Sequence, residues 1–164
     1  MILMIRNIFL VFGCLFLFVG CTSAEVFEST EDTIENNENS PETSMEKQVV
    51  EIVNAERKKQ KLTSLSVDES LMRSCDIRAK ELVEKFSHTR PDGNSCFTSI
   101  KTSYNAAGEN IAYGQKSAQA VMTTWINSEG HRNNILSDKY THIGVGCYEN
   151  DNRLYWVQLF IRKK

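Results

Sequence analysis

The chain has 164 residues, 41% of them hydrophobic and 24% charged, with 8 Gly and 2 Pro. This is globular composition for one domain plus some extra sequence, and it excludes collagenous and low-complexity proteins. The formal net charge of −2 hides an asymmetry: eight acidic and no basic residues lie between Arg6 and Lys47, whereas from Lys47 onward 18 basic face 13 acidic residues, a net +5. An acidic arm on a mildly basic body excludes a strongly basic nucleic-acid binder.

Residues 1–20 are read as a signal peptide. Arg6 precedes an apolar run from Ile8 to Val19, too short for a hydrocarbon core that needs about 20 residues and suited to an h-region. The junction Phe18-Val19-Gly20-Cys21 resembles the lipobox of bacterial lipoproteins, with Phe18 standing where Leu is usual. That likeness implies acylation (palmitate) at Cys21 and an exported protein anchored to a membrane by its lipid. Residues 21–44 are rich in Glu, Asn, Ser and Thr and bury too little apolar surface to offset ordering entropy. They form a disordered acidic tether that could hold a domain roughly 60–70 Å from the bilayer.

Residues 45–164 carry the domain. Ser40-Pro41-Glu42-Thr43 with Glu46 offers N-cap residues and a capping-box spacing, and Met45, Val49, Ile52 and Val53 then recur at helical spacing. Lys58, Lys59 and Lys61 complement the dipole at its far end. Asp68 caps a second helix with Leu71, Cys75, Arg78/Ala79, Leu82 and Phe86 along one stripe, which must stop before Pro91. Ser117 begins a third helix, with Val121, Met122, Trp125 and Ile126 on one face. Two apolar strands close the chain, His142–Tyr148 and Leu154–Ile161, joined by the turn Glu149-Asn150-Asp151-Asn152. The last strand is apolar almost throughout, so both its faces are covered. The implied fold is α/β, a three-layer α-β-α sandwich.

The domain has three histidines, His88, His131 and His142, and no HExxH, GxSxG, P-loop, CxxC or EF-hand pattern. Gly144-Val145-Gly146 lacks the third glycine of a dinucleotide fingerprint. Three polar clusters remain: Phe86 to Gly93 around His88, Gly108-Glu109-Asn110-Ile111-Ala112, and Trp125 to Leu136 around His131. Singly, each has a plain structural reading, as a helix cap, a turn carboxylate or a solvated loop.

In this order and at these distances the clusters resemble the CAP superfamily (cysteine-rich secretory, antigen 5 and pathogenesis-related proteins; the SCP domain), in its short bacterial form. Asn54-Ala55-Glu56-Arg57, Ile143 to Tyr148 and Tyr155 to Phe160 extend the likeness over nearly all of the body. The resemblance implies an α-β-α sandwich and a cavity gathering two His and two acidic residues. His88, Glu109 and His131 match by position. Glu129 matches less well, because long members carry the second acid about one turn beyond the tryptophan. Two neutral imidazoles, His88 and His131, can bind a divalent cation such as Zn²⁺ or Mg²⁺, with carboxylates completing or orienting the shell. Equally, His and Glu can hold each other in a satisfied polar cluster. Asn110 and Ser128 are candidate supporting donors, and His142 is assigned a structural place.

Setting aside Cys14 in the signal and Cys21 at the lipid leaves Cys75, Cys96 and Cys147. Cys75 lies on an apolar stripe, so Cys96 and Cys147 are the candidate disulfide. That bridge could contribute about 4 kcal/mol in the chain-entropy model. The functional expectation is a surface lipoprotein binding a divalent cation, a small lipid, or an envelope or host component. The alternatives are a metal-assisted hydrolase of peptide or cell-wall bonds and a structural adhesion module. The absence of a nucleophile motif favours binding.

Overall fold

A computed structural model describes residues 43–164. The signal segment, the Cys21 lipidation site and all but the last two residues of the tether lie outside the described residues. The element order is α1 (Met45–Lys59), β1 (Ser66–Val67), α2 (Glu69–Glu84), a 3-10 turn (Cys96–Ser99), β2 (Tyr104–Tyr113), α3 (Ala118–Asn127), α4 (Glu129–Ile135), β3 (His142–Asn150) and β4 (Arg153–Lys163). No helix among the described residues is long and apolar enough to cross a membrane.

The four strands form one sheet in the order β1-β3-β4-β2, with β1 parallel to β3 and the other pairs antiparallel. Side chains alternate along β4. Leu154, Trp156 and Phe160 pack with α1 and α3 on one face, and Val157, Leu159 and Ile161 pack with α2 on the other. This is the expected three-layer sandwich, and it explains the unbroken apolar run. The β3–β4 hairpin closes on Asp151 and Asn152, whose φ of +48° and +61° are those of a two-residue type I′ turn.

Gly144 and Gly146 face α2. A Cβ on either would lie 2.6 or 2.5 Å from the main chain at Leu71 or Cys75. The missing side chains let the helix backbone settle directly on β3. Gly130 is the opposite case: it lies inside α4 and a Cβ there meets nothing within 4 Å. Gly130→Ala should therefore stabilise the domain by about 0.4–1 kcal/mol, read as a rise in urea midpoint. A drop in midpoint would show that the backbone at this position cannot accept a side chain.

Several local expectations are corrected. The α1 cap is Ser44, whose hydroxyl accepts from Lys47 N–H (3.4 Å), so Lys47 occupies the position where a capping box needs an acid. At the other end Lys61 adopts φ +59° and closes a Schellman motif through Lys61 N–H to Lys58 C=O and Leu62 N–H to Arg57 C=O. Helix α2 stops at Glu84, so Phe86 leaves the stripe and lies exposed, edge-on to Tyr113 at 4.7 Å. Arg57, fully buried near the end of α1, donates to the carbonyls of Thr63 (2.9 Å), Ile135 (2.8 Å) and Ser137 (2.7 Å), tying α1 to the end of α4.

Candidate functional site

The segment after α2 doubles back on itself. In Arg90-Pro91-Asp92-Gly93 the Gly93 N–H closes on Arg90 C=O (3.0 Å), with proline pre-set for the turn and Gly93 at φ +85°. Thr89 bridges Ser95, and Cys96 N–H returns to His88 C=O at 3.0 Å. The turn thus seats Cys96 beside His88. Arg90 locks the loop by donating to Glu81 Oε1 (2.6 and 3.0 Å) and to Thr98 Oγ1 (3.0 Å).

Glu109 lies inside β2, the edge strand, with its side chain buried on the α2 side of the sheet. Arg78 Nε donates to Glu109 Oε1 (2.9 Å), and His88 Nδ1 meets Glu109 Oε2 at 2.7 Å. Arg78, itself fully buried, also donates to Glu81 (2.6 Å) and to Ser87 C=O (2.8 Å). Charges therefore alternate through Arg90, Glu81, Arg78, Glu109 and His88. In the sequence Arg78 reads only as a stripe position; a charged residue on an apolar stripe, three before an acid, is the available signal.

His131 is held to the same edge strand by its backbone. On α4, its carbonyl accepts from Asn110 Nδ2 (3.1 Å), which also donates to Gln158 Oε1 (3.0 Å). Asn134 donates to Asn110 Oδ1 (2.9 Å) and to Glu109 C=O (3.3 Å), fastening α4 to β2. Gly108 makes this fit possible, because a Cβ there would lie 2.5 Å from the Tyr140 hydroxyl and 3.0 Å from Asn134 Oδ1. Asn110 thus links β2 to β4 and to α4 through its side chain. Ser128 joins α3 to α4 without a side-chain cap bond. Glu129 is exposed in the first turn of α4. His142 Nδ1 lies 2.8 Å from Thr141 Oγ1, away from this cluster.

The two imidazoles are tuned in opposite directions. The hydrogen bond to Glu109, followed by its charge, holds His88 above the usual 6.5, against the effect of burial. Burial, and then the charge of His88, holds His131 below it. His131 Nδ1 is buried with no hydrogen-bond partner. Beside Glu109 opens a cavity of about 390 Å³ lined by His88, Cys96, Phe97, Gly108, Asn134 and Tyr140, among others.

The Cys96–Cys147 bridge is not formed: Cys75, Cys96 and Cys147 are all free thiols. Cys147 projects from β3 toward the α1 and α3 layer, whereas Cys96 sits by Glu109 on the α2 side, so the sheet intervenes. No rotamer change brings such a pair to disulfide distance.

Comparison with known proteins agrees with this architecture. Residues 50–160 match the model of the CAP, or cysteine-rich secretory protein, family. An uncharacterised Bacillus subtilis protein, YkwD, is 47% identical over 123 residues, 72% of this chain and 47% of its own length. An extracellular SCP-domain protein of Bacillus anthracis superposes with a TM-score of 0.67 at 31% identity, over 73% of this chain and 40% of that one. An outer surface protein of Borrelia burgdorferi gives 0.63 at 26% identity, over 72% and 92%. The chain thus spans about half the length, or less, of the two Bacillus proteins. From the matched model, the shared three-layer fold and the motifs around His88, Glu109 and His131, the chain belongs to the CAP family, with a domain of the bacterial SCP type.

Proposed function

We propose that the chain is an exported surface protein, anchored through Cys21, whose CAP domain binds a divalent cation at His88 and His131. The observation that carries the cation reading is the 2.7 Å pairing of His88 Nδ1 with buried Glu109. A carboxylate on one imidazole nitrogen fixes the tautomer and leaves the other lone pair for a metal, as outer carboxylates do around metal-bound histidines. The partnerless His131 Nδ1 is a further donor that the chain itself does not satisfy. The surface reading draws on the Gly20-Cys21 junction and on the extracellular and outer-surface descriptions of the two solved relatives.

When bound, such a cation would supply a Lewis-acidic, positively charged centre. The protein's own residues set its terms. Arg78 keeps Glu109 in place, Glu109 orients His88, and Asn110 with Asn134 holds α4 and hence His131 against β2. Phe97, Ala107 and Tyr140 give the cavity wall an apolar part for whatever approaches the centre.

Calorimetric titration of the tag-free protein with Zn²⁺ tests the reading. His88→Ala and His131→Ala should each remove most of the binding, and the double variant should add little, because both serve one site. Glu109→Gln should cost about tenfold, in the range for loss of an orienting partner. Binding that survives both histidine substitutions would falsify the site.

The pH dependence follows from the signs. Glu109 favours the imidazolium of His88, so a cation competes with a proton held above 6.5, and affinity should fall as pH drops from above that value. His131 is already neutral there and loses its lone pair only at lower pH. Glu109→Gln should therefore move the midpoint of the binding profile downward. An upward or absent shift would refute the assignment of Glu109 as the group that raises His88.

A further inference from the structure

Cys96 is buried yet belongs to neither apolar core. It lines the open cavity, and its Sγ, one nitrogen of His88 and one oxygen of Glu109 all lie within 4.8 Å of one another. The local chain is built to keep it there: the Pro-Asp-Gly turn, the Thr89–Ser95 bridge and the Cys96 N–H bond to His88 C=O return the backbone to the histidine it has just left. Ser95 then caps the 3-10 turn on which Cys96 stands, accepting from Phe97 N–H at 3.4 Å. A thiol without a disulfide partner is thus placed within reach of an imidazole that already carries an orienting carboxylate.

We propose that Cys96 is a thiolate donor to the cation held by His88 and His131, which makes the ligand a thiophilic divalent ion of the zinc and cadmium kind rather than magnesium. This inference rests on the histidine reading above. Donors around a tetrahedral zinc stand about 3.5 Å apart, given bonds of about 2.0–2.3 Å. Cys96 Sγ and a ring nitrogen of His88 lie within 4.8 Å of each other and need a contraction of only about an ångström, which His88, with 60% of its side chain exposed at the head of a loop, can supply. Magnesium would require near-octahedral oxygen coordination. The cavity lining offers one carboxylate, Glu109, and that group is already shared between Arg78 and His88.

In the cation-free protein burial, then the charge of Glu109, pushes the Cys96 thiol up to about 12, so it is protonated. On binding, the S–H bond breaks as the S–metal bond forms, and the proton leaves to solvent. No electron is transferred. Proton release on binding is the general mark of a coordinating thiol.

Cobalt(II) is the probe, added to the full reduced chain without a His tag. The wild type should show visible d–d bands of a low-coordinate site together with a near-ultraviolet thiolate-to-cobalt charge-transfer band. Cys96→Ser should keep the d–d bands, lose the charge-transfer band and narrow the preference for cadmium over magnesium by about tenfold or more. Cys147→Ser should leave both spectra unchanged. Cys96→Ala, with its fold checked by far-ultraviolet circular dichroism, should lose the charge-transfer band in the same way. If cobalt binds the wild type with d–d bands and no charge-transfer band, Cys96 is not a donor while the histidine site stands. If that band survives in Cys96→Ser, another thiol is responsible and the proposal is overturned. No cobalt binding by the wild type would remove the histidine reading, and this inference with it.

Discussion

Arg78→Met should lower the stability of the domain by about 3–5 kcal/mol, among the largest effects of any single side-chain change at the site. Arg78 is fully buried and offers its fork to Glu109, Glu81 and the Ser87 carbonyl. Methionine fills similar space but leaves the Glu109 carboxylate, 1% exposed, with the half-exposed His88 as its remaining ionic partner. The penalty is that of an uncompensated buried charge more than of a lost attraction. Two consequences separate these accounts. Arg78→Met with Glu109→Leu should recover most of the loss, since removing both charges removes the penalty. Removing the guanidinium penalises the charged form of a buried carboxylate, so the defect should be smaller in acid, where that charge is neutralised, than at neutrality. Urea denaturation at two pH values measures all of this. A loss below about 1 kcal/mol, or a double variant worse than the single, would show that the pair is not holding the site.

A comparable effect is expected where no polar group is involved. Gly146→Ala should destabilise by about 1–3 kcal/mol, and Gly146→Val by more, because the new atoms meet the carbonyl carbon and oxygen of Cys75 at 2.5 and 2.7 Å. Those atoms belong to a helix backbone and cannot rotate away. The helix must lift off β3, giving up contacts of Leu71, Cys75, Ala79 and Leu82 with the sheet. Gly144 faces the same helix one turn earlier, so Gly144→Ala with Gly146→Ala should cost less than the sum of the singles: once α2 has lifted, the second methyl meets less resistance. Equilibrium unfolding of the three variants decides it. Wild-type stability in Gly146→Ala would mean that the helix does not lie so close.

The elements legible in the sequence are those whose residues answer to one demand. The β4 run is apolar because both faces are covered, α3 announces itself through Ser117 and its apolar stripe, and Asp151-Asn152 specifies a turn by its tolerance of positive φ. The elements that escape such a reading serve the site. β2 carries Asn105, Glu109 and Asn110 among small residues because it is an edge strand with polar partners on both faces, so no alternation survives. α4 holds Gly130, Asn133 and Asn134, poor helix formers, and is maintained by tertiary hydrogen bonds. Phe86 reads as core in the sequence because spacing cannot show where a helix stops. The Gly144-Val145-Gly146 pattern is legible only as a failed nucleotide signature; its meaning is steric and requires the position of α2. Pairing Cys96 with Cys147 by elimination ignores the side of the sheet, which sequence distance does not encode. His88, Glu109 and His131 emerge as a set through family likeness, and Arg78, on which Glu109 depends, joins them only in the folded chain.

Seven residues are too few for a helix to persist in water by itself, since nucleation alone exceeds what so few hydrogen bonds return. Arg57 changes what α4 is. Its Nη1 occupies the carbonyls of Ile135 and Ser137, so the end of α4 cannot fray without leaving that nitrogen of a buried cation without partners. The backbone that carries His131 is consequently part of the same cooperative unit as α1, not an independently fluctuating loop. In native-state hydrogen exchange, the amides of Arg132 and Leu136, which bond to Ser128 and Arg132 carbonyls, should open with the free energy of the long helix rather than that of a surface turn. The site's slowest motion is then set by α1, through a bond between Arg57 and Ile135, 78 residues apart in the chain.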